Sequence, residues 1–187
     1  MRGPPTETLL FPAGAVRRAA AGDEAVLAEL GARTFRDTFA ADNTPEDMAI
    51  YLGETFGREK QAAELADPAG CFLIAEIDRV AVGYARLREG AAPACVTAPR
   101  PIEIARIYAE KSWHGRGVGP ALLRACLDEA AARGCGAVWL GVWDRNLRAR
   151  AFYRKWGFVE IGAKIFPLGR DRQNDVVMQA RVVLIES

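Results

Sequence analysis

The chain has 187 residues, half of them apolar, and its 25 Lys and Arg are nearly balanced by 24 Asp and Glu. One sizeable core fits that length and two domains would be cramped, while a net charge of +1 gives no global electrostatic reason to bind nucleic acid or a membrane surface. Cys71, Cys95, Cys126 and Cys135 form no C-x-x-C pair and lie among apolar or small residues, so they are expected to be reduced packing residues of a cytoplasmic protein, with neither disulfide nor metal.

Residues 1–13, with Pro4, Pro5 and Pro12, read as a tail and residues 14–187 as one domain. A short strand over 15–20 leads to Asp23 as N-cap and an amphipathic helix carrying Val26, Leu27, Leu30 and Phe35 at helical spacing. A second helix starts at Thr44-Pro45, with Asp47 three residues after its cap and Met48, Tyr51, Leu52 and Phe56 as its apolar stripe; a third ends near Ala66. Strand-like runs over 71–77 and 80–88 flank Asp78-Arg79, a hairpin without glycine in its turn. After a loop over 90–101, a strand over 102–109, a Gly-rich turn, a helix to about Arg133 and a strand over 137–142 make a βαβ unit. Such a unit predicts a parallel pair, a right-handed crossover and a ligand at the carboxyl ends of the strands. A helix over 147–156 and strands over 158–165 and 175–183 complete the chain; no long apolar run reaches the roughly 18 residues of a membrane helix.

Charge is unevenly spread. Residues 34–67 hold eight acids against three bases, and residues 100–172 hold fourteen bases against seven acids. That distribution suits a cationic substrate in the first region and a polyanionic ligand in the second, and it equally describes solvated helix faces.

The turn Trp113-His114-Gly115-Arg116-Gly117-Val118-Gly119-Pro120 is the most informative segment. Pro120 lacks an N–H and is at ease only in a helix's first turn, which pins the helix start. The free N–H groups there carry partial positive charge, the glycines admit close approach, and Arg116 adds a full charge, a combination suited to a pyrophosphate. A Walker loop would need Gly-Lys-Ser/Thr where the chain has Gly119-Pro120-Ala121. A dinucleotide fingerprint would need a glycine where it has Leu122 or Pro120.

Residues 104–123 resemble motif A of the GNAT acetyltransferases, departing from its Gln/Arg-x-x-Gly-x-Gly/Ala turn only at His114. Residues 139–146 and 151–158 resemble motif B, and the likeness runs from about 15 to 183. The finer pattern is similar to PaiA-type spermidine/spermine N-acetyltransferases, through Thr34-Phe35-x-x-Thr38-Phe39, Glu103-x-x-Arg106-Ile107-Tyr108, Leu140-Gly141-Val142-Trp143 and the segment 169–175. The resemblance implies an α/β GNAT fold: a single mixed twisted sheet of about seven strands, helices on both faces, and a splay between the two central parallel strands. It further implies acetyl-CoA as co-substrate without metal, and direct transfer to a small primary amine, first a polyamine. A protein N-terminus, a lysine or an amino-sugar are the alternative acceptors, and a non-catalytic acyl-CoA-binding regulatory module is the rival reading. A homodimer is common among resembling proteins.

The same resemblance assigns roles. His114, Gly115, Arg116, Gly117, Val118 and Gly119 hold the diphosphate, mostly through backbone amides. Backbone groups of Ile107, Tyr108 and Ala109 meet the pantetheine arm, one amide serving the developing oxyanion. Asn146 sits beside that arm, and independently reads as the N-cap of the helix from Leu147. An alkylammonium with a pKa of ~10.4 must lose a proton before it can attack. Glu103, eleven residues before His114, stands where some GNAT enzymes carry a glutamate base, and reads equally well as the ion-pair partner of Arg106 or another arginine. Tyr153 matches the family's general acid for the leaving thiolate, with a core tyrosine as the alternative. His114 is given no catalytic role, and Trp139 and Trp143 are read as sheet residues.

Overall fold

The computed structural model describes residues 9–11 and 14–182, so most of the tail read at 1–13, and residues 183–187 of the domain, lie outside the described residues. The elements are β1 (Leu9–Phe11), β2 (Gly14–Arg18), α1 (Glu24–Phe39), α2 (Pro45–Thr55), α3 (Arg58–Ala66), β3 (Gly70–Ile77) and β4 (Val80–Arg88). They continue with β5 (Pro101–Ala109), α4 (Val118–Ala132), β6 (Ala137–Trp143), α5 (Leu147–Lys155), β7 (Val159–Leu168) and β8 (Asp171–Arg181). The strands form one mixed sheet in the order β1-β2-β3-β4-β5-β6-β8-β7, with β5 and β6 its parallel pair. The eighth strand is β1, an edge addition paired with β2 inside the stretch read as a tail.

Both faces are covered, as the resemblance implied. On one, α4 buries Val118, Ala121, Leu122, Ala125 and Cys126, spaced three and four apart so that they share a side, against Leu73, Ala85, Ile104 and Val138. On the other, α1 and α2 bring Leu27, Leu30, Phe35 and Met48 against Phe72, Ile74 and Tyr84. Each fully buried large side chain contributes roughly 1.5–3 kcal/mol relative to exposure.

Local chemistry sets the ends of these elements. Thr44 caps α2, its hydroxyl accepting the Asp47 N–H at 3.2 Å. Asp23 occupies the N-cap position of α1 but makes no side-chain cap: its carboxylate is drawn away by the fork of Arg17, at 2.7 and 2.8 Å, and by the Ala20 N–H. The β3–β4 turn places Asp78 at φ 50° and Arg79 at φ 65°, the left-handed pair that matches strand twist, here without glycine.

The decisive departure from regularity lies at the sheet's centre. β5 and β6 pair only through Pro101↔Ala137, Ile102↔Val138 and Glu103↔Trp139. Beyond Glu103 the register of β5 on β4 shifts, Leu87 facing Ile104 and Arg86 facing Arg106, so Ala105 is an extra residue. A bulge of this kind bends its strand. From there β5 follows β4 to Ala109, β6 follows β8 to Trp143, and the two part: the splay expected from the resemblance.

Candidate active site

The parted strands open into a cavity of about 480 Å³ lined by β5, β6, the turn before α4, the start of α5, and aromatic residues of α1, α2 and β7. At its mouth stands the amino end of α4. Gly117 is at φ 92° and Gly115 at φ 77°, and a Cβ on either would meet no other atom within 4 Å. Ala121 is the first residue to close the helix ladder, onto the Gly117 carbonyl. With Pro120 lacking an N–H, the amides of Gly117, Val118 and Gly119 are the ones a helix start leaves without a carbonyl. Val118 is fully buried and anchors this end of the helix in the core. Arg116 stacks 5.1 Å from the Trp113 ring beside this end.

His114 is tied down. Its Nε2 meets the Ala109 carbonyl at 3.0 Å and its Nδ1 meets Arg148 at 3.3 Å. Since a carbonyl only accepts and a guanidinium only donates, Nε2 carries the proton. Along β5, Glu110 donates to Val82 on β4. Alternation therefore turns the backbone groups of Tyr108 toward β4, and those of Ile107 and Ala109 toward the opening. Asn146 does cap α5, accepting the Ala149 N–H at 3.0 Å, and it also lines the cavity.

Tyr153 lines the cavity from α5 and is buried beside Phe152 and Phe158. Burial above all, and then the nearby Cys126, pushes its phenol well above the ordinary range, so it stays protonated. Glu103 reaches the cavity from β5 with both oxygens engaged: Oε2 by Arg88 at 2.5 Å and Oε1 by Lys164 at 3.3 Å. Arg106, the first partner considered from sequence, is elsewhere, forked onto Glu64 at 2.7 and 3.0 Å. The register explains the exchange, because Glu103 lies opposite Arg88 and Arg106 opposite Arg86.

Two features escaped the sequence reading. Trp143 is part of the cavity wall as well as the sheet, with Phe39 6.1 Å away edge-on. Asp175, within β8 opposite Trp143 at the end of β6, is 6 % exposed and is pushed up to about 6 by burial and by Asp144 and Glu103, against the pull of Lys164. The residue that makes room for it is Gly141, where a Cβ would lie 2.3 Å from Lys164 Cε and 2.7 Å from Asp175 Oδ2. A glycine inside a strand is a sign of such close approach and was the available clue. The acidic stretch 34–67 contributes Phe35, Thr38, Phe39 and Tyr51 to the wall but none of its carboxylates.

An opened parallel pair with a glycine-started helix at its mouth, in one mixed sheet covered by helices on both faces, defines the class of α/β protein. The chain belongs to the Acetyltransferase (GNAT) family, which it matches over residues 33–158, and it is an acetyltransferase. It is 36% identical over 150 residues to an uncharacterized N-acetyltransferase of Lactobacillus delbrueckii subsp. lactis, covering 80% of this chain and 87% of that one. Its fold is similar to that of a GCN5-related N-acetyltransferase from Rhodopseudomonas palustris (TM-score 0.71, 23% identity, 92% and 98% of the two chains). It is also similar to that of the PaiA N-acetyltransferase from Thermoplasma acidophilum, solved with coenzyme A (TM-score 0.70, 20% identity, 89% and 97%). Among the described residues no helix is long and apolar enough to cross a membrane.

Proposed function

We propose that the protein transfers the acetyl group of acetyl-CoA directly to a primary amine, with a polyamine such as spermidine as preferred acceptor. The observation that carries the reading is the end of β5–β6 pairing at Glu103, with the α4 amides at the mouth of the opening. A strand pair that gives up its ladder exposes N–H and C=O groups that must find partners. The amides of a pantetheine arm are suitable ones, for Ile107 and the Ala109 N–H on one side, the Ala109 carbonyl being held by His114, and for Asn146 at the far end. The diphosphate belongs on the Gly117, Val118 and Gly119 amides, with Gly115 giving clearance and Arg116 adding charge. His114 serves this end through Arg148, and Tyr108 through its ring, which lines the acceptor side.

Acetyl-CoA supplies an activated thioester. The chain supplies position and protons: an N–H of Ile107 or Ala109 for the developing oxyanion, and the protonated Tyr153 phenol for the leaving sulfur. Glu103, fixed by Arg88 and Lys164, orders the acceptor face. For the polyamine, the support is the wall of Phe39, Tyr51, Tyr108, Trp143 and Phe166, whose ring faces attract alkylammonium groups, together with the buried carboxylate of Asp175.

Thiol release from acetyl-CoA, measured with spermidine, spermine, a lysine peptide, a free peptide N-terminus and an amino-sugar, tests the reading. Release fastest with the polyamines is expected. Coenzyme binding without release for any amine would overturn it in favour of an acyl-CoA-binding regulatory module.

A further inference from the structure

Asp175 is the buried acid of the cavity that no step above employs. It is 94 % buried by area, its residue 6 % exposed, yet it lines the open cavity. Among the described residues its carboxylate forms no hydrogen bond or ion pair, since Lys164, the cation acting on it most strongly, is bonded to Glu103 instead. A buried, unpaired carboxylate is costly unless something outside the protein completes it. The aromatic wall says what: a positive group approaching past Phe39, Tyr51 and Trp143.

We propose that Asp175 receives the protonated amine of the acceptor and removes its proton, acting as the catalytic base, so that the acceptor is a cationic alkylamine. The inference rests on the acetyl-transfer reading above. Glu103 is the less suitable base because Arg88 and Lys164 already occupy both its oxygens; it is a positioning residue that holds Lys164 off Asp175.

The step balances. One N–H proton of the alkylammonium passes to the Asp175 carboxylate, leaving a neutral amine with a lone pair. The lone pair forms the C–N bond to the acetyl carbon while the C–S bond breaks and its electrons stay on sulfur. Tyr153 gives its phenolic proton to that sulfur, and the surplus proton on the amide nitrogen restores the phenol. Asp175 then returns its proton to water, one per turnover.

The groups facing Asp175 are Lys164 on β7, Glu103 on β5, Asp144 after β6 and Tyr51 on α2. Burial and the two acids raise it, Lys164 lowers it, and the outcome near 6 leaves it ionised at neutral pH yet a better proton acceptor than an ordinary Asp.

The test compares wild type, Asp175→Asn and Glu103→Gln by thiol release with spermidine across the pH range, with coenzyme A affinity read by calorimetry. Wild-type kcat/KM is expected to rise through a limb centred near pH 6. Asp175→Asn is expected to lose that limb and about 100-fold in kcat/KM, with coenzyme affinity unchanged, while Glu103→Gln keeps a limb displaced to lower pH, because it removes one raising acid and frees Lys164 toward Asp175. A limb retained in Asp175→Asn, or lost in Glu103→Gln alone, overturns the proposal and leaves acetyl transfer standing. Wild-type protein that binds coenzyme but releases no thiol with any amine overturns the acetyl-transfer reading, and this one with it.

Discussion

Glu64 and Asp175 are buried alike, at 7 % and 6 % exposed, yet their surroundings treat them oppositely. Glu64, on α3, is held by the fork of Arg106 and by Arg86 at 3.1 Å, with Lys60 at 4.0 Å. Asp175, on β8, faces a cavity and has its natural cation bonded to another acid. In the first cluster the carboxylate is fully paired within the protein, which fixes how α3 sits on β4 and β5. The second is incomplete, and an incomplete buried charge marks where a substrate's charge belongs. Counting acids along the chain does not separate the two, whereas counting their partners does.

The comparison can be attacked most forcefully at Glu64. Glu64→Ala strands Arg86 and Arg106 as buried cations, and removing one partner of a buried pair costs about 3–5 kcal/mol. Thermal unfolding should therefore drop steeply, and a melting temperature within a degree or two of wild type would refute the contrast. At the mouth, Gly117→Val forces a β-branched residue to φ 92° and puts its methyls in the open space before the amides. Calorimetry should find coenzyme A affinity down by at least about 100-fold, close to 3 kcal/mol, with a smaller loss of stability. Tyr153→Phe keeps the ring and removes the proton donor, so kcat should fall about 100-fold with coenzyme affinity unchanged; equal kcat would make Tyr153 a core residue only.

The smallest effect has the opposite sign. The carboxyl of Asp175 titrates near 6 when folded against 3.8 ordinarily, so the folded chain holds this proton more tightly than the unfolded one. Its charge therefore opposes folding fully above pH 6, and the penalty fades as pH falls from about 6 toward the ordinary value of 3.8. Asp175→Asn should be more stable than wild type at pH 8 by on the order of 1 to 2 kcal/mol, a gain absent at pH 4. A loss of stability at pH 8 would mean that Asp175 is paired like Glu64.

How much was legible in the sequence follows the range of the interactions. The α4 start could be read because Gly115, Gly117 and Pro120 have local backbone requirements that few structures satisfy. The Thr44 cap and the Asp78-Arg79 turn are local in the same sense. The partners of Glu103 could not be read, because they depend on the bulge at Ala105, which no residue pattern in β5 announces. Asp175 was out of reach for a related reason. Its surroundings come from β6, β7 and α2, and only the antiparallel insertion of β8 between β6 and β7 brings them together. β1 has three residues, too few for an alternating pattern to stand out.

The central claim is that the gap between β5 and β6, entered past the first amides of α4, is where the coenzyme lies. A crystal structure of the protein with coenzyme A tests it most directly. The account predicts the diphosphate on the amides of Gly117, Val118 and Gly119 and the pantetheine arm running along Ile107 and Ala109 toward Tyr153. Coenzyme bound elsewhere, with those amides facing protein and the two strands closed against each other, would contradict it.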